Sequence, residues 1–86
     1  MQSATLTDFT QTTLRLQRIR PQKNERRFYA VTVTTDLFGQ VVLVRNWGRV
    51  STGGRLRWDL YTDLSAAETS LRDLARRKRQ RGYQEL

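Results

Sequence analysis

Neither cysteine nor histidine occurs in the sequence. Without cysteine there is no disulfide framework and no thiolate ligand for a structural zinc. Without histidine the chain lacks the side chain that titrates nearest neutral pH and the commonest metal ligand. Proline occurs once, at Pro21, and apolar runs are short. The longest, Phe28 to Val31 and Val41 to Val44, are strand-sized and far below the ~20 residues of a membrane-spanning helix. Residues 1–11 have no basic start and no apolar stretch, so they do not read as a secretory signal. They read as a flexible leader before one domain at 12–86. These absences suit a cytoplasmic protein, which is the expected location.

Acidic charge is also scarce. Sixteen Lys and Arg oppose eight Asp and Glu, for a net charge of +8. All but Lys23 and Lys78 of the basic residues are Arg. The planar guanidinium matches phosphate with two parallel hydrogen bonds and stacks on flat rings. A surplus of this kind suits a polyanion. The plain alternative is a compositional taste for arginine with no specific partner. Residues 1–11 carry −1, 12–64 carry +6 and 65–86 carry +3, so the charge belongs to the folded part.

A chain of 86 residues is one domain, and a fully walled substrate cleft is hard to build at that size. The eight carboxylates form no recognisable acid/base pair. Thr52-Gly53-Gly54 is too short for a phosphate-cradling loop of the P-loop kind. The expectation is a binding protein, not an enzyme, with no cofactor and no metal.

Alternating apolar residues predict strands at 12–20, 27–35, 40–47 and 55–61. In the second, Tyr29, Val31 and Val33 share a face. The third is apolar on both faces, as a central strand would be, and Gly48 is expected to end it. In the fourth, Leu56, Trp58 and Leu60 face one way and Arg55, Arg57, Asp59 and Tyr61 the other, with Trp58 assigned to the core. Phe28 and Tyr29 divide between core and surface. After residue 64 the period lengthens to that of a helix. Ser65 with Glu68 reads as a capping box. Ala67, Leu71, Leu74, Ala75 and the stem of Lys78 form its apolar stripe. Glu68–Arg72 and Asp73–Arg77 have the spacing of ion pairs. Arg76 to Arg81 place positive charge at the helix C-terminus, and Gly82 ends it. The fold class is α+β: an antiparallel sheet of about four strands with one C-terminal helix packed across it.

The segment Arg45-Asn46-Trp47-Gly48-Arg49-Val50 is the most informative. It pairs a large flat ring with two flanking guanidinium groups. Stacking beside charge suits a nucleic-acid strand end or its sugar-phosphate backbone. Trp47 has a second placement, as a core residue capping the sheet, because it shares parity with Val41 and Leu43. Arg55 and Arg57 could extend a phosphate-tracking surface beside it. Arg72, Arg76 and Arg79 form an outer helical stripe that reads as solubilising.

Trp47-Gly48-Arg49, then Val50 and Thr52-Gly53-Gly54, resembles the signature of WGR domains. These occur in poly(ADP-ribose) polymerases and in small bacterial proteins or fusions. Asn24-Glu25-Arg26-Arg27-Phe28-Tyr29 is similar to the family's Asn-x-x-Lys-Phe-Tyr lead into a strand. The helix end Lys78-Arg79-Gln80-Arg81-Gly82-Tyr83 is similar to its Lys-rich helix terminus. The resemblance covers about residues 12–84. It implies a small sheet with one packed helix and nucleic-acid binding, DNA ahead of RNA. It implies that Trp47 contacts a terminal sugar, that Arg49 lies at the DNA or a domain contact, and that Asn24 and Arg27 lie near the backbone. Ser51 stands where the family commonly has Gly, and Arg27 replaces Lys. The 86 residues hold no counterpart of the polymerases' catalytic or zinc-finger domains, so no polymerase activity is implied for them.

The expected site is therefore Trp47 and Arg49 with Arg45, Arg27, Asn24, Arg55 and Arg57, engaging nucleic acid by end or shape. The rival reading is a protein-interaction module whose Arg-rich face binds an acidic partner.

Overall fold

The computed structural model describes residues 12–85, so the leader at 1–11 lies outside the described residues. Five strands form one sheet: β1 (Thr12–Arg20), β2 (Glu25–Thr35), β3 (Val41–Arg49), β4 (Arg55–Tyr61) and β5 (Gln84–Glu85). Their order is β4-β3-β2-β1-β5, and every neighbouring pair is antiparallel. One helix, α1 (Leu64–Gln80), packs on one face. The α+β plan holds, with five strands in place of about four. The additional strand, β5, has two residues and pairs with Leu16 and Gln17 of β1. It is too short to show any periodicity.

β-Branched and aromatic residues dominate β2 and β3, which suits a pleated sheet centre. The register aligns Leu16, Tyr29 and Trp47 in one row and Leu14, Val31 and Arg45 in the next. Leu16, Val31, Val33 and Leu43 are fully buried beneath α1, in a cluster that includes Ala67, Leu71 and Tyr83. Each such side chain contributes about 1.5–3 kcal/mol by leaving water. Small Ala67 and Ala75, both buried, let the helix backbone approach the strands.

β2 begins two residues before its predicted start. A 3₁₀ turn at Pro21–Lys23 and a left-handed Asn24 (φ 51°) allow Arg20 to pair with Glu25 at once. Gly48 does not end β3. The strand continues to Arg49, with Phe28 opposite Gly48 and Arg27 opposite Arg49. The following loop folds back on it. A Cβ on Gly48 would stand 2.8 Å from the Gly54 Cα, and one on Gly54 would meet the Trp47 carbonyl oxygen and the Phe28 ring.

Asp63, not Ser65, caps the helix: its carboxylate accepts from the Ala66 backbone N–H at 2.8 Å. Both residue types cap well, and Asp63 comes first after β4. On the helix surface the ion pair formed is Arg76–Asp73 at 3.0 Å, one residue tighter in spacing than the pairs expected. Gly82 adopts φ 95°, as its place after the helix requires.

Trp58 is not in the core. Leu56, Trp58 and Leu60 are exposed by 63, 69 and 66%. The alternation in β4 is as read, but the other face is covered. Tyr61 donates to Ser70 Oγ of α1 at 2.8 Å, which puts odd-numbered β4 residues on the helix side and the three large apolar ones outside.

Gly54 holds φ +69° and Gly53 has open space around its Cα. Gly54→Ala should lower the unfolding free energy by about 1–3 kcal/mol from its backbone conformation alone. Gly53→Ala should stay within about 0.5 kcal/mol of the parent. Urea unfolding of the two variants checks this contrast.

Candidate functional site

α1 crosses the sheet so that its last turn stands over the Tyr29–Trp47 row. Between them lies a cleft of about 270 Å³. Tyr29, Arg45 and Trp47 form its floor, and Leu74, Arg77, Lys78 and Arg81 its rim. Trp47 is half-buried and packs against the core while lining this cleft. The ring therefore packs on the edge of the core and also lines the cleft.

The cations are held in place by aromatic rings and shared carboxylates. Lys78 Nζ lies 4.6 Å from the Tyr29 ring centre and 5.3 Å from that of Tyr83. Arg18 stacks over the other ring contact, 5.0 Å from the Tyr83 centre. Such contacts are each worth about 0.5–1 kcal/mol at exposed sites and more when desolvated. Burial pushes the Lys78 pKa down, and the like charges of Arg81, Arg18, Arg27 and Arg45 push it further. Five cations therefore converge on one end of the sheet. Burial also pushes the Tyr29 hydroxyl pKa up, against the pull of Arg45. The Tyr29 hydroxyl and Arg45 Nε are buried with no hydrogen-bond partner among the described residues. Buried polar atoms left so carry a desolvation penalty, commonly seen where a ligand or water completes the bonding.

The expected residues fall on this same side of the sheet. Arg45, Trp47 and Arg49 alternate along β3, with Arg57 opposite Arg45 and Arg55 opposite Trp47. Arg45 and Arg57 share the Asp59 carboxylate, at 3.1 and 3.4 Å. Arg27 lies opposite Arg49 and 3.7 Å from Glu25, whose carboxylate also takes Arg18 at 2.7 Å and Arg20 at 3.7 Å. Arg49 donates to the Asn24 backbone oxygen at 3.2 Å and to Asn24 Oδ1 at 3.5 Å. Arg45 and Trp47 enter the cleft. Arg55 and Arg57 flank it on β4, and Asn24, Arg27 and Arg49 form a group one row further out. Ser51, where the family commonly has Gly, takes a left-handed φ of 76°.

Tyr29, Arg77, Lys78 and Arg81 were not singled out as site residues. Strand parity could have found Tyr29, since it shares the face of Val31 and Val33. Helical spacing places Arg77 and Arg81 together, next to the Leu74–Lys78 pair. Nothing in the sequence says that this end of the helix lies over Trp47. Arg72, Arg76 and Arg79 are exposed and stand outside the cleft; Arg76 pairs with Asp73 and Arg79 with Glu85. Among the described residues no group of three His, Cys, Asp or Glu could hold a metal ion. No helix there is long and apolar enough to cross a membrane.

Comparison with known families matches residues 12–86 to the WGR domain. Uncharacterized protein y4dW of Sinorhizobium fredii (strain NBRC 101917 / NGR234) is 37% identical over 70 residues, which cover 81% of this chain and 34% of that protein. The chain spans about a third of the length of that relative. No solved structure matches the chain.

The Lys78 shift has a sign that can be measured. Its folded pKa lies below the ordinary 10.5, so between the two values the unfolded chain binds more protons. Stability contributed through Lys78 must rise with pH across that window. Lys78→Met keeps the stem over Tyr29 and removes the charge. Urea unfolding of parent and variant should show the variant at least as stable at neutral pH, with the difference closing as pH rises toward 10.5.

Proposed function

The chain belongs to the WGR domain family, and on that premise we propose that it is a nucleic-acid-binding module, not an enzyme, that takes DNA into the cleft between α1 and the sheet. The observation that carries this reading is Trp47 on the floor of a cleft rimmed by Arg77, Lys78 and Arg81, with Arg45 beside it. Like charges gathered around Lys78 repel one another in the free protein. A phosphate group entering the cleft removes that repulsion and satisfies the guanidinium forks. Trp47 supplies a stacking surface for a sugar or base, an interaction worth about 1–3 kcal/mol per base by truncation. Arg55 and Arg57 on one flank and Arg27, Arg49 and Asn24 on the other continue the contact along the backbone.

Recognition is of ends or backbone shape. The residues proposed to touch nucleic acid come from strands β2 to β4 and the C-terminal turn of α1, not from one helix face laid in a major groove to read bases. The affinity is mostly electrostatic and falls with salt in proportion to the phosphates engaged. The working location is the cytoplasm. An acidic protein partner on the same cationic face is the second reading. It accounts for the arginines and gives Trp47 no task.

Fluorescence anisotropy with one labelled duplex in two forms tests the reading. One form has an open 5′-phosphorylated end, and the other has both ends closed by hairpins. The open form should bind more tightly, and Trp47→Ala should weaken that binding by about tenfold, within the range for one stacked base. The variant should still melt cooperatively, at a lower temperature, because Trp47 is only half-buried. Equal binding of both forms, unchanged in the variant, would reduce the cleft to a general basic surface and put the protein partner first.

A further inference from the structure

The face of the sheet opposite α1 is uncharged over most of its width. By strand parity β2 places Phe28, Ala30, Thr32 and Thr34 there, β3 Val42, Val44 and Asn46, and β4 Leu56, Trp58 and Leu60; Phe28, Ala30 and Val42 are already buried, and the large exposed side chains are the three of β4. In a chain with 28% charged residues, none of these carries a charge. Arg15 on β1 and Arg26 at the far end of β2 are the ionisable groups that border them. Leu56, Trp58 and Leu60 leave on the order of 400 Å² of apolar surface in water, the size of the largest patch on a typical monomer, which is often a functional one. Leu37 and Phe38, almost fully exposed, stand in the β2–β3 turn at the Leu60 end. With them the apolar area approaches the ~800 Å² that each partner contributes to a stable interface.

We propose that this face docks a second copy of the chain, sheet against sheet about a two-fold axis. Net charge selects the occupant. Two copies each carrying +8 repel through any contact that involves their helix-side faces. Among the described residues, the open face carries like charge only at its border, on Arg15 and Arg26. An acidic partner finds its complement on the other side of the sheet, around the cleft, and gains nothing from Trp58. A flat face of Thr, Val, Leu and Trp complements its own copy, as a two-fold interface requires. Sheets packed in this way sit about 10 Å apart with their strands roughly aligned. The pair has its two helices on the outside, so both clefts point outward and stay open. On the reading of the cleft proposed above, the dimer presents two nucleic-acid sites on opposite surfaces.

Sedimentation velocity on the full chain, from low micromolar to near-millimolar concentration, tests the proposal. The monomer mass is 10.1 kDa. The parent should shift toward twice that mass as concentration rises. Trp58→Glu should remain monomeric throughout, with parent-like cooperative melting and parent-like affinity for a short duplex. Should that variant fold poorly, Trp58→Thr, which keeps a β-forming residue, should also lose or strongly weaken the association. A parent that stays monomeric at every concentration overturns the proposal, whether Trp58 emission then reports water or cover by another part of the chain. So does association in both variants equal to that of the parent. Duplex affinity is measured separately, so loss of the dimer with intact binding leaves the cleft reading in place, and the reverse result leaves the dimer in place.

Discussion

The docking of α1 on one face of a twisted sheet governs everything else in this fold. Ala67 and Leu71 join Val31, Val33 and Leu43 in a common cluster, and that contact decides which strand parity faces inward. Once it is made, Arg45, Trp47, Arg49, Arg55 and Arg57 all lie on the helix side. Leu56, Trp58 and Leu60 must then lie on the other. A two-layer domain has one covered and one open sheet face, and here the chain puts its charge on the covered side and its spare apolar surface on the open one. Arg45 lies against the helix flank, with Leu74 and Arg77 of α1 beside it.

That flank is electrostatically tense. Two carboxylates, Glu25 and Asp59, serve five arginines between them. The helix contributes Arg77, Lys78 and Arg79 in its last turn, where its dipole favours positive charge. Tyr29 and Tyr83 hold Lys78 by cation–π contact. None of this removes the burial, or the repulsion from neighbouring arginines, that lowers the Lys78 pKa. Local departures from good pairing tend to persist at sites with a task. An incoming anion would relieve the departure seen here.

Much of the architecture was legible in the sequence, and the misses share a cause. The bounds of β1 and β4 follow from local alternation, and the helical stripe and Gly82 stop follow from local spacing. Trp58 was misplaced because alternation separates two faces without saying which one is inside. The usual rule, that the apolar face is the covered one, fails in β4. Asp63 and Ser65 are both good caps, and only the path of the chain from β4 to α1 chooses between them. Gly48 looks like a terminator because glycine weakens strands. It is needed inside β3 because the Gly54 loop packs directly on it. Of the residues lining the cleft, Arg45 and Trp47 are read from their own segment. Tyr29, Arg77, Lys78 and Arg81 join them through the crossing of helix over sheet, a tertiary fact that no local pattern carries.

The two tryptophans make the most direct test, because Trp47 and Trp58 lie on opposite faces of one sheet. A short open-ended duplex, added to ¹⁵N-labelled protein at a fixed low concentration, should shift the indole N–H signal of Trp47 together with the backbone signals of Arg45, Arg77, Lys78 and Arg81. The Trp58 indole signal should stay where it was. Movement of Trp58 and its β4 neighbours with Trp47 unmoved would contradict the account, since nucleic acid would then be bound by the face opposite the cleft, where Arg15 and Arg26 lie only at the border.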